Sequence, residues 1–340
     1  MINGLFDIHL RLDKIDKNGD PLSRLNQIVD WDIFRPELQS IRDKGRKSPA
    51  GARGYDPVMM FKILVLQSLY NLSDDQIEFQ ILDRISFIRF LGLSIGGKVP
   101  DATTVWRFRE ALSEAGLVEN LFKKFDAFLR DNGFAARKGQ IVDASIVECP
   151  RQRNTRDENR EIKRGEAAGI EGWSDKKRAQ KDTEARWTKK NGRNHFGYKN
   201  HIQIDAKHKM IRAFAVTDAS VHDSRQFEKL LDENNASREV WADSAYRSAE
   251  RLAELERRGF REHLQRKGCR NKPLSEREKR GNRTRSKVRS RVEHVFGVQA
   301  MRAGNLLLRT IGQVRAGCVI GLRNLAYNLD RYAMLKTVRA

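Results

Sequence analysis

The spacing of apolar and polar positions changes character once along the 340 residues, near residue 139. Before that point the apolar positions recur at helical spacing. Residues 23–28 make a short amphipathic stretch. Asp56 and Pro57 then carry a helix start signal, because a carboxylate can cap the first turn and a proline there loses no hydrogen bond. The apolar density from Met59 to Leu69 predicts a buried helix. Shorter helices follow at 74–82 and 85–91, with Gly92, Gly96 and Gly97 as stops. Asp101, after Pro100, caps a further helix start that carries Arg107 and Arg109. Short helices joined by tight turns fit a helix-turn-helix-like DNA reader, in which Arg107 and Arg109 reach base edges. They equally fit a plain bundle with Trp106 and Phe108 in its core.

Beyond residue 139 the period shortens to that of strands. Residues 139–147 form a brief apolar run carrying one carboxylate, Asp143, as a buried strand does. Residues 198–205 and 210–217 alternate, with 206–209 as a hairpin turn. A helix at 224–231, a strand at 239–243, a helix at 248–258 closed by Gly259, a strand at 260–264 and a long helix from about Lys287 complete the pattern. Strand, strand, strand, helix, strand, helix, strand, helix predicts a mixed α/β sheet flanked by helices. Between them, residues 149–195 are charged and nearly free of aliphatic side chains, which predicts a long exposed loop or a marginal helix. The expected domains are a helical one at 1–136 and an α/β one at 137–335.

Charge separates the same two parts. Residues 1–140 carry 21 Lys and Arg against 19 Asp and Glu, whereas residues 141–340 carry 45 against 26. From Arg266 to Arg291 there are twelve basic residues and only two acids, Glu276 and Glu278. Such a block suits a polyanion, since each neutralised phosphate releases condensed counterions, or else it is a solvated face. No apolar run approaches the ~18–20 residues of a membrane span. The first ten residues do not resemble a secretory leader, and Cys149, Cys269 and Cys318 are too far apart for a disulfide framework or a CxxC zinc site. The expectation is a soluble protein of a reducing compartment, with DNA as partner and no membrane.

Three acids stand where burying a charge is costly without a reason. Asp143 is mid-strand, Asp243 ends a strand, and Glu293 shares a helix face with Arg289. An acidic cluster inside a basic domain suits phosphodiester chemistry, in which carboxylate-held divalent ions stabilise the attacking and leaving oxygens.

With these residues in place the chain resembles the DDE transposases of bacterial insertion sequences, most closely the IS-five group. The matching stretches are 139–146, Gly197-Tyr198-Lys199-Asn200-His201, 217–224, Val240-Trp241-Ala242-Asp243-Ser244-Ala245-Tyr246 and 289–297, with 55–69 and 100–110 in the helical half. The resemblance implies an RNase H-like catalytic core preceded by an all-helical domain. It implies Asp143, Asp243 and Glu293 as catalytic and metal-binding triad, and Mg²⁺ or Mn²⁺, two ions, as cofactor. Element ends and target DNA are the implied double-stranded partners, a homo-oligomer the implied assembly, and the bacterial cytoplasm, at the nucleoid, the implied location. DNA contacts fall to Arg283, Arg285, Lys287, Arg289, Arg302, Arg107 and Arg109. Where the family often has a Tyr three residues before the Arg and a Lys seven after the Glu, this chain has Ser286 and Ala300, and Arg285 or Arg302 stands in for the lysine. The alternative is a decayed, non-catalytic DNA-binding relative.

Other residues carry weaker signals. His195 and His201 lack a zinc-ligand pattern. His222 and Asp223 match a family motif, with capping as their simplest role. Trp241 belongs to the core. Trp173 and Trp187, in the charged segment, either stack on exposed bases or anchor that segment.

Overall fold

The computed structural model describes residues 7–43, 54–166, 170, 172–304 and 306–339. Its chain forms two compact units, Met1–Phe128 with Leu322–Ala340, and Leu129–Gly321. The first unit is helical: α1 (Asp7–Lys17), α2 (Pro21–Ile28), α3 (Arg35–Asp43), α4 (Pro57–Tyr70), α5 (Asp74–Asp83), α6 (Ile85–Leu91), α7 (Ala102–Glu114) and α8 (Leu117–Leu129). Helix α4 starts where its signal lies, with the Asp56 carboxylate accepting from the N–H groups of Val58 and Met59. Its side chains from Pro57 to Phe61 and from Ile63 to Gln67 are buried, so it is a core helix covered on all sides. Trp31 and Phe34 pack on Phe61, the Phe34–Phe61 centroids lying 4.9 Å apart, and Phe90 meets Trp31 edge-on. Helix α7 buries Val105 and Leu112, while Trp106 is 45% exposed and does not join the core.

The second unit runs β1 (Gln140–Glu148), α9 (Arg156–Arg164), α10 (Asp175–Ala179), β2 (Arg186–Lys190), β3 (Arg193–Asp205), β4 (Ile211–Asp218), α11 (Phe227–Leu230), β5 (Glu239–Ala242), α12 (Ala249–Arg257), β6 (Arg261–Leu264), α13 (Glu276–Arg289) and α14 (Arg291–Ala303). The last helix, α15 (Gln313–Arg339), begins in this unit and ends in the first. There its Tyr332 meets Phe125 and Phe128 edge-on. Residues 322–335, expected at the end of the α/β domain, therefore group with the helical unit.

The strands form one sheet ordered β2-β3-β1-β5-β6, with β4 also paired to β3. β1, β3 and β4 are antiparallel, and β5 and β6 extend the sheet in parallel from β1. One face packs Val142, Val240 and Ala242 on Phe227, Leu230 and Leu255. This is the RNase H-like mixed sheet flanked by helices.

Two expectations change. Residues 149–195 are not a featureless loop. Helices α9 and α10 gather Ile162, Ile170 and Trp173 into a small core, and β2 turns tightly into β3. The basic block from 266 onward is itself helical from Glu276, because Ser275 and Glu278 form a capping box.

Candidate active site

β1 lies at the centre of the sheet, so its register decides what its acid meets. Gln140 pairs with Val240 and Ile141 with Trp241 in parallel with β5. Two residues further on, the same register sets Asp143 beside Asp243, which follows β5 in extended conformation. The Asp143 Oδ1 accepts from the Ala144 N–H at 2.8 Å, and the Asp243 carboxylate accepts from the Ser244 N–H. Burial pushes the Asp143 carboxyl above its ordinary range against the opposing pull of the Ala144 N–H and Arg289, and the Asp243 charge adds to the rise.

The third acid comes from the helices. Ser290 ends α13 and opens α14 while keeping right-handed helical angles, so the i,i+4 relation survives across the junction. Arg289 uses it. Its Nη2 donates to Glu293 Oε1 at 3.1 Å, and its Nη1 donates to Asp143 Oδ2 at 2.8 Å. One guanidinium thus bridges a strand acid and a helix acid. Hard carboxylate oxygens from three elements are the donor set that Mg²⁺ prefers, and two of them already clasp a cation. Among the described residues, no three Asp, Glu, His or Cys side chains are grouped as a ready metal cage.

Sequence reasoning missed two residues here, Tyr246 and Lys190, and read a third, Asp223, chiefly as a cap. The Tyr246 hydroxyl is buried with no hydrogen-bond partner among the described residues. Burial, with Asp143, Asp223 and Asp243 nearby, holds its proton on far above the usual phenol range. Asp223 pairs with Lys199 at 2.8 Å, while the cap of its short turn is His222, whose Nδ1 accepts from the Ser224 N–H. Lys190, at the end of β2, adds positive potential at Asp143. Tyr246 and Asp223 sat inside quoted motifs, whereas Lys190 becomes meaningful only once the β2–β3 hairpin is known.

The remaining expected residues disperse. Arg283 and Lys287 are exposed on α13 and Arg285 is half-buried there, while Arg302 falls within α14 with its side chain outside the described residues. Ser286 accepts from the Gln265 amide at 2.6 Å. Arg107 is exposed on α7, whereas Arg109 is held in a two-armed ion pair with Asp74 at 2.7 Å. His195 pairs with Glu148 at 2.5 Å and buried His201 with Thr217 at 2.8 Å, and six strand residues, ~20 Å, separate the two histidines. Trp173 is an anchor: buried, it donates to Glu158 at 2.5 Å under Lys177 and Lys181. Trp187 is 44% exposed beneath Arg151.

Comparison with known proteins adds family to geometry. Residues 10–111 match the family described as "Transposase domain (DUF772)", and residues 134–329 match "Transposase DDE domain". A solved structure, the cryo-EM structure of a piggyBac transposase synaptic complex with hairpin DNA, is similar at 12% identity and a TM-score of 0.48. The match covers 94% of this chain and 76% of that one.

Proposed function

The chain belongs to the Transposase DDE domain family and is a DNA transposase, and we propose that Asp143, Asp243 and Glu293 are the acids that carry its reaction. The observation behind this reading is the Arg289 bridge, which ties a central-strand acid to a helix acid beside the end of β5. The family works with divalent metal ions, and the three carboxylates would hold Mg²⁺ or Mn²⁺ here, with the Arg289 guanidinium released from Asp143. Such ions would supply charge neutralisation at the scissile phosphate.

The chain's own groups do the rest. Arg289, released from Asp143, turns its fork to a DNA phosphate, a geometry that guanidinium matches in two-armed fashion. Arg283, Arg285, Lys287 and Arg302 hold the backbone of the element end. Water attacks the end phosphodiester and the 3′ oxygen leaves with a proton as a hydroxyl. That hydroxyl then attacks a target phosphodiester, and the target's own 3′ oxygen departs. Two element ends handled together call for a homo-oligomer. An IS-five-type insertion sequence in a bacterial cytoplasm is the finer assignment.

The test is incubation of the full chain with DNA carrying the element ends, with Mg²⁺ or Mn²⁺, read on a denaturing gel. Asp143→Ala, Asp243→Ala and Glu293→Ala should each lower cleavage at least ~10³-fold while DNA retention persists, because phosphate contacts elsewhere remain. A variant that cleaves at the parental rate removes its residue from the site. The second reading, a non-catalytic DNA-binding relative, draws on Ser286 and Ala300, which stand where the family often has Tyr and Lys. Its signature is retention without cleavage by the parental chain.

A further inference from the structure

Alternate side chains of a strand share a face, so the face of β5 that leads to Asp243 also carries Glu239 and Trp241. Both line a cavity of about 630 Å³ in the second unit, which Arg137, Lys138, Ala236, Ser237, Val288 and Arg291 complete. Such a volume is within the ~300–1,000 Å³ of small-ligand sites and admits one nucleotide. Trp241, buried and stacked on His263 with centroids 4.9 Å apart, gives an apolar floor. The rim is cationic. Arg137 and Lys138 are exposed, and Arg291 is fixed by donating to the Ala206 carbonyl at 2.8 Å. Glu239, the one acid among the lining residues, faces His263 at 3.6 Å.

The wall is built under constraint. Lys138 and Gly139 both adopt left-handed backbone, φ 63° and 80°. A Cβ at position 139 would lie 2.4 Å from the Trp241 ring and 2.5 Å from the Glu239 carbonyl, so only glycine lets the chain press against the floor. Buried Asn235 pins the turn, accepting from the Gly139 N–H at 3.2 Å and donating to its carbonyl at 2.9 Å. A non-glycine residue held left-handed is a conformation that persists only where the surroundings over-determine it. Position adds a second argument. Val288 and Arg291 flank Arg289 and Ser290, and Trp241 is two strand residues, ~7 Å, from Asp243. The cavity and the acids therefore share one sheet face and one helix junction.

We infer that this cavity is a subsite for one nucleotide of the DNA strand beside the scissile phosphate, with sugar and base against Trp241 and Val288 and phosphate on Arg137, Lys138 and Arg291. The inference rests on the transposase reading of the adjoining acids. An acidic peptide fits the rim charges, but the cavity continues the sheet face that carries Asp143 and Asp243, which favours the DNA strand on which those acids act.

Two variants of the full chain separate filling from charge. Ala236→Trp fills the cavity from an exposed position and leaves every cation in place; Arg137→Gln with Lys138→Gln removes two of the three rim cations and leaves the volume. With end-bearing DNA and Mg²⁺, each should raise the DNA concentration for half-maximal cleavage about tenfold. The salt slope of DNA binding should hold for Ala236→Trp and shrink by roughly 0.9 per lost contact for the double variant. Unchanged melting temperatures set folding aside, and Ser237→Trp gives a second filled variant if the first unfolds. Parental behaviour of the filled variants overturns the subsite, including when the double variant alone is impaired, since the rim would then act as plain surface charge. Competition by micromolar thymidine 5′-monophosphate also overturns it, by making the cavity a free-nucleotide site. Failure of the parental chain to cleave would instead overturn the catalytic reading.

Discussion

Arg289 and Tyr246 show how single side chains set the electrostatics of this site. The Arg289–Asp143 limb joins side chains only about one-fifth exposed, whereas the Glu293 side of the bridge is 61% exposed and screened by water. The first limb carries the energy, roughly 1–2 kcal/mol after allowing for partial exposure. Arg289→Ala should therefore lower the stability of the metal-free chain by about that amount in denaturant melts. It should also tighten Mn²⁺ binding without DNA, measured by calorimetry, because the cation competing for Asp143 is gone. Weaker Mn²⁺ binding would make Arg289 a support of the metal site and reject it as a placeholder. Tyr246 has the opposite signature. A buried hydroxyl without a partner costs about 1–3 kcal/mol, so Tyr246→Phe should leave metal-free stability unchanged or raised. If the hydroxyl finds its partner in the loaded site, that variant should nonetheless cleave about tenfold more slowly. Loss of stability together with cleavage would make the tyrosine purely structural.

Secondary elements show which parts of this fold were legible. Asp56-Pro57 and the apolar strands around Asp143 and Asp243 declared themselves through capping chemistry and apolar runs, and the alternation at 198–205 marked a strand that proves buried on both faces. The β2–β3 hairpin was also written in the chain, as Asn191-Gly192. Both residues adopt left-handed backbone, φ 51° and 77°, in the two-residue turn that pairs Lys190 with Arg193. It went unread because its flanks are charged rather than alternating, and its cross-strand support is a single Trp187–Phe196 contact at 5.2 Å. The capping box of Ser275 and Glu278 was hidden in the same way by the basic run that follows it. The Arg289 bridge could be half foreseen, since i,i+4 spacing gives Glu293, but its reach to Asp143 spans 146 residues and depends on tertiary packing. Because Lys190 sits at this turn, the hairpin has a functional consequence. Gly192→Val forces a β-branched residue into left-handed backbone at about 1–2 kcal/mol. It should lower the melting temperature modestly and slow cleavage by displacing Lys190 from Asp143. Slower cleavage with an unchanged melting temperature would mean that position 192 touches DNA directly.

At the scale of the whole chain, the sequence suggested a helical part ending near residue 136 that folds by itself. The contacts argue otherwise, because the end of α15 belongs to that part's core. Leu322, Leu325, Tyr327, Leu329 and Tyr332 are all buried. At about 1.5–3 kcal/mol for each large side chain removed from water, they amount to on the order of 10 kcal/mol. That equals the whole stability of a typical domain, roughly 5–15 kcal/mol, even after trimming for a compact unfolded state. No periodicity argument could have found this, since nothing local to residues 117–129 says that Phe125 and Phe128 await a tyrosine some 200 positions later. A fragment of residues 1–136 should therefore show helical circular dichroism without a cooperative melt. Joining residues 322–340 to it through a flexible linker should restore one sharp transition. The same fragment with Tyr332→Ala in the added helix should melt several degrees lower, because the edge-on contacts with Phe125 and Phe128 are lost. A cooperative transition in the bare 1–136 fragment would return the C-terminal helix to the catalytic unit. The chain's two ends would then be energetically independent, and a truncated element encoding only the helical part could make a folded DNA-binding competitor of the full transposase.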